Sequence, residues 1–192
     1  MLQLSKQSRS YLLELARRTL QSFLESGVRP SDVPSEPELL EKRGVFVTLE
    51  KKGQLRGCIG FPFPTHPLYL AVVEGAIHAA TQDPRFERLE LEELPEISIE
   101  ISVLSALKPM TDLAELRAGV HGLVVTDRGR RGLLLPQVAV DRNWSIDRFL
   151  EETCRKAGLP RDAWKRGAQV EYFTALVFSE EDAPTSTLAE LL

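Results

Sequence analysis

A chain of 192 residues with 43% hydrophobic and 27% charged content can bury a full core and has the composition of an ordinary globular domain. Its formal net charge of −4 argues against a broad electrostatic footprint for nucleic acid, and no apolar run reaches membrane-span length. The two cysteines, Cys58 and Cys154, lie far apart and fit a reducing compartment better than a disulfide framework. MLQLSKQSRSYLLELARR at the N-terminus lacks the apolar core and cleavage site of a signal peptide, so a cytoplasmic location is expected.

In chain order, the spacing predicts a long amphipathic helix over 5–26, with Tyr11, Leu12, Leu15, Thr19, Leu20, Phe23 and Leu24 on one face and Gly27 as its stop. A proline-bearing loop and one helical turn near 37–43 lead to a hairpin. Val45, Val47 and Leu49 alternate with Phe46, Thr48 and Glu50, Lys51–Gly53 makes the turn, and LRGCIG (55–60) resumes the alternation. A second helix over 68–82 is rich in alanine and glycine, which suits close packing on a sheet. Asp83-Pro84-Arg85-Phe86 ends it, with Phe86 expected to anchor the exit in the core. Ile97, Ile99, Ile101 and Val103 mark a second strong strand whose other face carries Ser98, Glu100 and Ser102.

A short helix at 112–116 precedes a second hairpin, 119–126 and 132–135, around a turn at 127–131 that carries three arginines and reads as a solvated basic spot. A third helix follows over 145–157, capped by Ser145 and stopped by Gly158, with Cys154 in its apolar face. A final strand over 168–178 places Tyr172, Thr174, Leu176 and Phe178 on one side, and an acidic tail covers 179–192.

Several residues carry chemistry. Strict alternation would put Arg56 and Cys58 on one face of the hairpin, where a guanidinium favours a thiolate, with Gly57 and Gly60 leaving room for a ligand or another backbone. The competing reading makes Cys58 a small packing residue and Arg56 half of a surface ion pair. Arg85 either pairs with Glu87 or Glu90 or forms an anion fork, and Glu100 matters only where its strand face lines a cleft. His121, between Gly119 and Gly122, is the most notable of the three histidines. No phosphate-binding loop, dinucleotide fingerprint, paired CxxC, HExxH or GxSxG is present, and the histidines are too dispersed for a metal site by spacing, so neither a cofactor nor a metal is expected.

The ordered blocks GVFVTL, LRGCIG, DPRF, ELPEISIEISVLS, GVHGLVV, GLLLPQVA and CRKAGLP resemble the AMMECR family, named after the AMME syndrome candidate protein, whose microbial members are called AmmeMemoRadiSam system protein A. The resemblance spans residues 11–178 and implies one α+β domain over 1–178: a main antiparallel sheet flanked by helices, a smaller lobe and an interlobe cleft. It implies no proven catalytic residue, and it suggests Memo-like and radical-SAM proteins as partners. One reading that follows is an enzyme component acting on a small molecule or peptide. In it Cys58 is the nucleophile, His121 the base and Glu100 an orienting carboxylate, while Arg56, Gly57, Gly60 and Arg85 contact the substrate. The other is a non-catalytic partner-binding or regulatory module in which LRGCIG is structural.

Overall fold

The structure, a computed structural model, describes residues 3–181 and divides them into two compact units. The first comprises residues 3–103 and 177–181, the second residues 104–176.

In the first unit, α1 (Lys6–Ser26) begins at Ser5, whose hydroxyl accepts the Ser8 N–H at 3.0 Å, and ends at Gly27 in the left-handed conformation (φ 73°). Its buried face holds Leu12, Leu15, Ala16 and Leu20, and Leu15 packs with Val73 and Ile77 of α3 (Leu68–Thr81). After the single turn α2 (Pro37–Leu40), strands β1 (Val45–Lys51) and β2 (Gln54–Phe61) form the first hairpin, and β3 (Ile97–Leu104) pairs antiparallel with the other edge of β1. Val45, Val47 and Leu49 are fully buried, as are Ile99, Ile101 and Val103, so one face of the sheet is the core face.

Small residues let α3 sit directly on that face. A Cβ on Gly57 would lie 2.2 Å from the Ala79 carbonyl oxygen, and one on Gly75 would lie 3.0 Å from a Val47 methyl group. The exit from α3 is anchored by Leu89, which is fully buried, while Phe86 is only partly so. Arg17 ties α1 to the start of β3. It donates to the Leu94 carbonyl at 2.9 Å and the Ile97 carbonyl at 2.6 Å, and pairs with Glu180, whose carboxylate also accepts the Ile99 N–H at 2.9 Å. The acidic segment expected from 179 onward is therefore anchored at its first carboxylate. Its remainder, from 182, lies outside the described residues.

In the second unit, β5 (His121–Asp127) pairs antiparallel with β6 (Arg130–Leu134) and with β7 (Gln169–Ser179), and the two-residue β4 (Lys108–Pro109) pairs with β7. The hairpin turn is tighter than the sequence suggests. It consists of Arg128 and Gly129 alone, both at positive φ, and Arg130 and Arg131 already belong to β6. A short α4 (Pro136–Asp141) precedes α5 (Ile146–Lys156), which caps at Ser145 and stops at Gly158. Phe149, Leu150 and the fully buried Cys154 of α5 pack against Leu123, Val125 and Val170. The opposite face of β5 is also covered, because Phe173 is buried over Gly122, where a Cβ would meet its ring at 2.2 Å. Both faces of β7 carry buried residues, because Val170 and Phe173 face opposite sides and both are buried.

Replacing Gly57 with alanine should force α3 off β2 and lower stability by about 2–3 kcal/mol, as overpacking against backbone does. Urea denaturation checks this, and an unchanged midpoint would contradict the packing described.

Candidate functional site

The face of the first sheet turned away from α3 is polar. Alternation along β1 sends Phe46, Thr48 and Glu50 to that side, and the ladder sets Thr48 directly between Cys58 on β2 and Glu100 on β3. The Thr48 hydroxyl donates to the Cys58 sulfur at 3.3 Å. Two strand spacings separate the backbones of Cys58 and Glu100, about 10 Å. Cys58, Thr48 and Glu100 are all partly exposed, so the row forms an accessible strip.

The outer edge of β2 is closed by Asp83, only 4% exposed. One carboxylate oxygen accepts the Cys58 N–H at 2.9 Å and an Arg85 Nη2–H at 2.6 Å. The other accepts the Arg85 N–H at 3.1 Å and Nε–H at 2.9 Å. These bonds, the Arg85 guanidinium first, hold the Asp83 carboxyl well below its ordinary range against the opposing effect of burial, and Asp83 in turn raises Arg85. Arg85 Nη2 also reaches the Cys58 carbonyl at 3.4 Å, and the guanidinium lies over the Phe86 ring. Its side chain stays 54% exposed, and Nη1 makes no hydrogen bond among the described residues. Arg85 thus braces the Cys58 backbone and offers an outward pair of donors.

Arg56 does something different from what strict alternation implies. The register slips between Leu49 and Glu50, so Leu55 opposes Glu50, Gly57 opposes Leu49, and Arg56 is the extra residue of a β-bulge. Its guanidinium forms a fork with Glu93 at 2.8 and 3.2 Å and donates to the Glu87 carbonyl at 2.9 Å. Arg56, with Lys51 adding a contact, pulls the Glu93 carboxyl down to about 2. Among the described residues Arg56 makes no bond to the thiol, and its place on the thiol's face is a correction to the alternation argument. The gaps left by Gly57 and Gly60 are also taken by the protein's own backbone, the Ala79 carbonyl at one and the Val45 carbonyl at the other.

His121 belongs to the second unit, and the other six candidates to the first. Its Nδ1 accepts the Arg117 N–H at 3.1 Å, and its ring lies 4.9 Å from that of Tyr172. Burial, with Arg117 and Lys108 adding to it, lowers its pKa. One ring nitrogen is thus engaged by the backbone of its own unit.

Two contributors escape a reading of the sequence alone. Thr48 shows only as a polar member of an alternating strand, and Asp83 only as a turn residue. The pairing of Asp83 with Cys58 crosses 25 positions and needs α3 to be docked before it exists. Among the described residues no group of three or more His, Cys, Asp or Glu side chains could hold a metal ion, and no helix is long and apolar enough to cross a membrane.

The AMMECR1 family model matches residues 13–178. The chain belongs to the AMMECR1 family. It is 45% identical over 185 residues to a protein of Pyrococcus furiosus (89% of this chain, 87% of that one), and 46% identical over 182 residues to one of Methanopyrus kandleri (90% and 88%). The crystal structure of an uncharacterized protein from Pyrococcus horikoshii matches with a TM-score of 0.81 at 41% identity, covering 93% of this chain and 94% of that one. The α+β fold with an antiparallel sheet flanked by helices is thus shared by an AMMECR1 relative of known structure.

Asp83 and Glu93 have depressed folded-state pKa values, so their stabilisation is present above the ordinary values of 3.8 and 4.5 and is lost as pH falls through the folded-state values. Denaturation midpoints should therefore drop steadily from pH 5 toward pH 2, and Asp83→Asn should be less stable at pH 7 with a visibly flatter acid limb. Parallel limbs in the two proteins would contradict this assignment.

Proposed function

We propose that this AMMECR1-family chain is an enzyme component of the cytoplasm. It acts on a small molecule or peptide laid along the strip Cys58–Thr48–Glu100. The observation that carries the proposal is the contrast between its two thiols. Cys58 is partly exposed on a polar face and accepts a hydroxyl hydrogen bond, whereas Cys154 is fully buried in an apolar cluster. In acyl or group transfer, the Cys58 sulfur attacks an electrophilic carbon, the bond to the leaving group breaks, and the thiol proton departs with that group. Passage of the held group to a second acceptor restores the thiol. Glu100, about 10 Å away across Thr48, would orient the far end of a substrate of that span by accepting a hydrogen bond from it. Arg85 would hold an anionic portion with its outward donors. His121 would be a base only through Nε2, because its Nδ1 accepts the Arg117 N–H. Memo-like and radical-SAM proteins would supply or consume the group carried.

A second reading is favoured by the internal use of so many signature side chains. Arg56 is engaged by Glu93, Gly57 by Ala79 and Asp83 by Cys58, so LRGCIG and DPRF could serve architecture within a partner-binding module. Iodoacetamide labelling of the native protein, mapped by mass spectrometry, separates the two. The enzyme reading predicts alkylation of Cys58 at neutral pH while Cys154, whose thiol burial pushes up, stays unmodified until unfolding. If Cys58 is as inert as Cys154, and Cys58→Ser still co-elutes with Memo-like and radical-SAM proteins, the module reading stands.

A further inference from the structure

A second site is built into the other unit, at the far end of the β5–β6 hairpin. The stretches 127–131 and 155–166 hold eight Lys and Arg residues, of which Arg131, Arg155 and Arg161 are paired with Glu171 and Glu152. Three of the others line one concavity of about 400 Å³, within the range of small-molecule sites. Arg128, Arg130 and Arg166 line it together with Asp127, over an apolar base that includes Leu159 and Ala163.

Two of the three guanidiniums are held in place. Arg130 donates to the Gly158 carbonyl at 2.9 Å, and Arg166 is paired with Asp162. Arg128 is exposed and makes no hydrogen bond or ion pair among the described residues. It also occupies the first turn position at φ 47°, a left-handed conformation that suits Asn, Asp or Gly far better than arginine. Lys52 takes the same position of the β1–β2 turn at φ 54°, so the conformation belongs to the turn type, and it is the exposed guanidinium beside the concavity that bears on a ligand.

We propose that this concavity binds the phosphate group of a small phosphate ester. Arg128, Arg130 and Arg166 converge on the phosphate, Leu159 and Ala163 receive an apolar body, and Asp127 accepts a hydroxyl. Planar guanidiniums match phosphate oxygens in geometry as well as charge. This site is separate from the Cys58 strip and does not depend on its chemistry.

Titration of the full-length, nitrogen-15-labelled protein with phenyl phosphate, followed by amide chemical shifts, tests the proposal. The expected result is saturable shifts at Gly129, Gly158 and Ala163, weakened by added salt and absent with phenol. Arg128→Asn should bind at least about tenfold more weakly while its melting temperature rises, because Asn-Gly suits this turn better. Non-saturating shifts in the wild type, or equal affinity in Arg128→Asn, would overturn it. So would single-stranded RNA that shifts the same amides and is not displaced by phenyl phosphate, which would mark the patch as a polyanion surface.

Discussion

The carboxylate of Asp83 is the contact on which the candidate site depends. It is buried at the rim of the first unit and takes the amide proton of Cys58 together with three donors from Arg85. An edge strand with an open N–H at this point could fray or pair with another chain. The carboxylate closes that edge, and the charged partner it needs is two residues along its own loop. Removing it would leave a part-buried backbone donor and a half-exposed guanidinium without their acceptor, a loss of about 1–3 kcal/mol. The two most distinctive stretches of the chain, LRGCIG and DPRF, are thus halves of one hydrogen-bonded clamp.

Close packing completes the arrangement. Gly57 brings the Ala79 backbone onto β2 and Gly75 brings α3 onto Val47, so the helix that delivers Asp83 is pressed against the strand that carries Cys58. Arg56, displaced by the bulge, secures the 87–93 segment through Glu93. The core face of the sheet is thereby fixed by small residues and the β2 edge by carboxylates. The polar face is left to present Cys58, Thr48 and Glu100.

Most elements were legible because their signals are local. The stop of α1 at Gly27, the caps of α5, the period-two strands and the alanine-rich helix each follow from residues a few positions apart. So did the inert setting of Cys154, from the apolar stripe it shares with Phe149 and Leu150. What was not legible depends on register or on distant pairs. A one-residue slip opposite Leu49 moved Arg56 away from the thiol's face, and no composition rule marks that bulge. The Nδ1 of His121 is taken by the Arg117 amide, and the role of Asp83 is set by a strand 25 positions earlier. The positive φ of Arg128 likewise follows from a two-residue turn that its sequence does not advertise.

The clamp is tested most directly by the hydrogen exchange of one amide, that of Cys58. Ladder alternation gives the neighbouring Ile59 amide a partner on β1, whereas the Cys58 amide points to Asp83. The clamp predicts that both amides are strongly protected in the wild-type protein, and that Asp83→Asn speeds exchange at Cys58 far more than at Ile59. Rapid exchange of the Cys58 amide in the wild type, at the rate of an open strand edge, would contradict it.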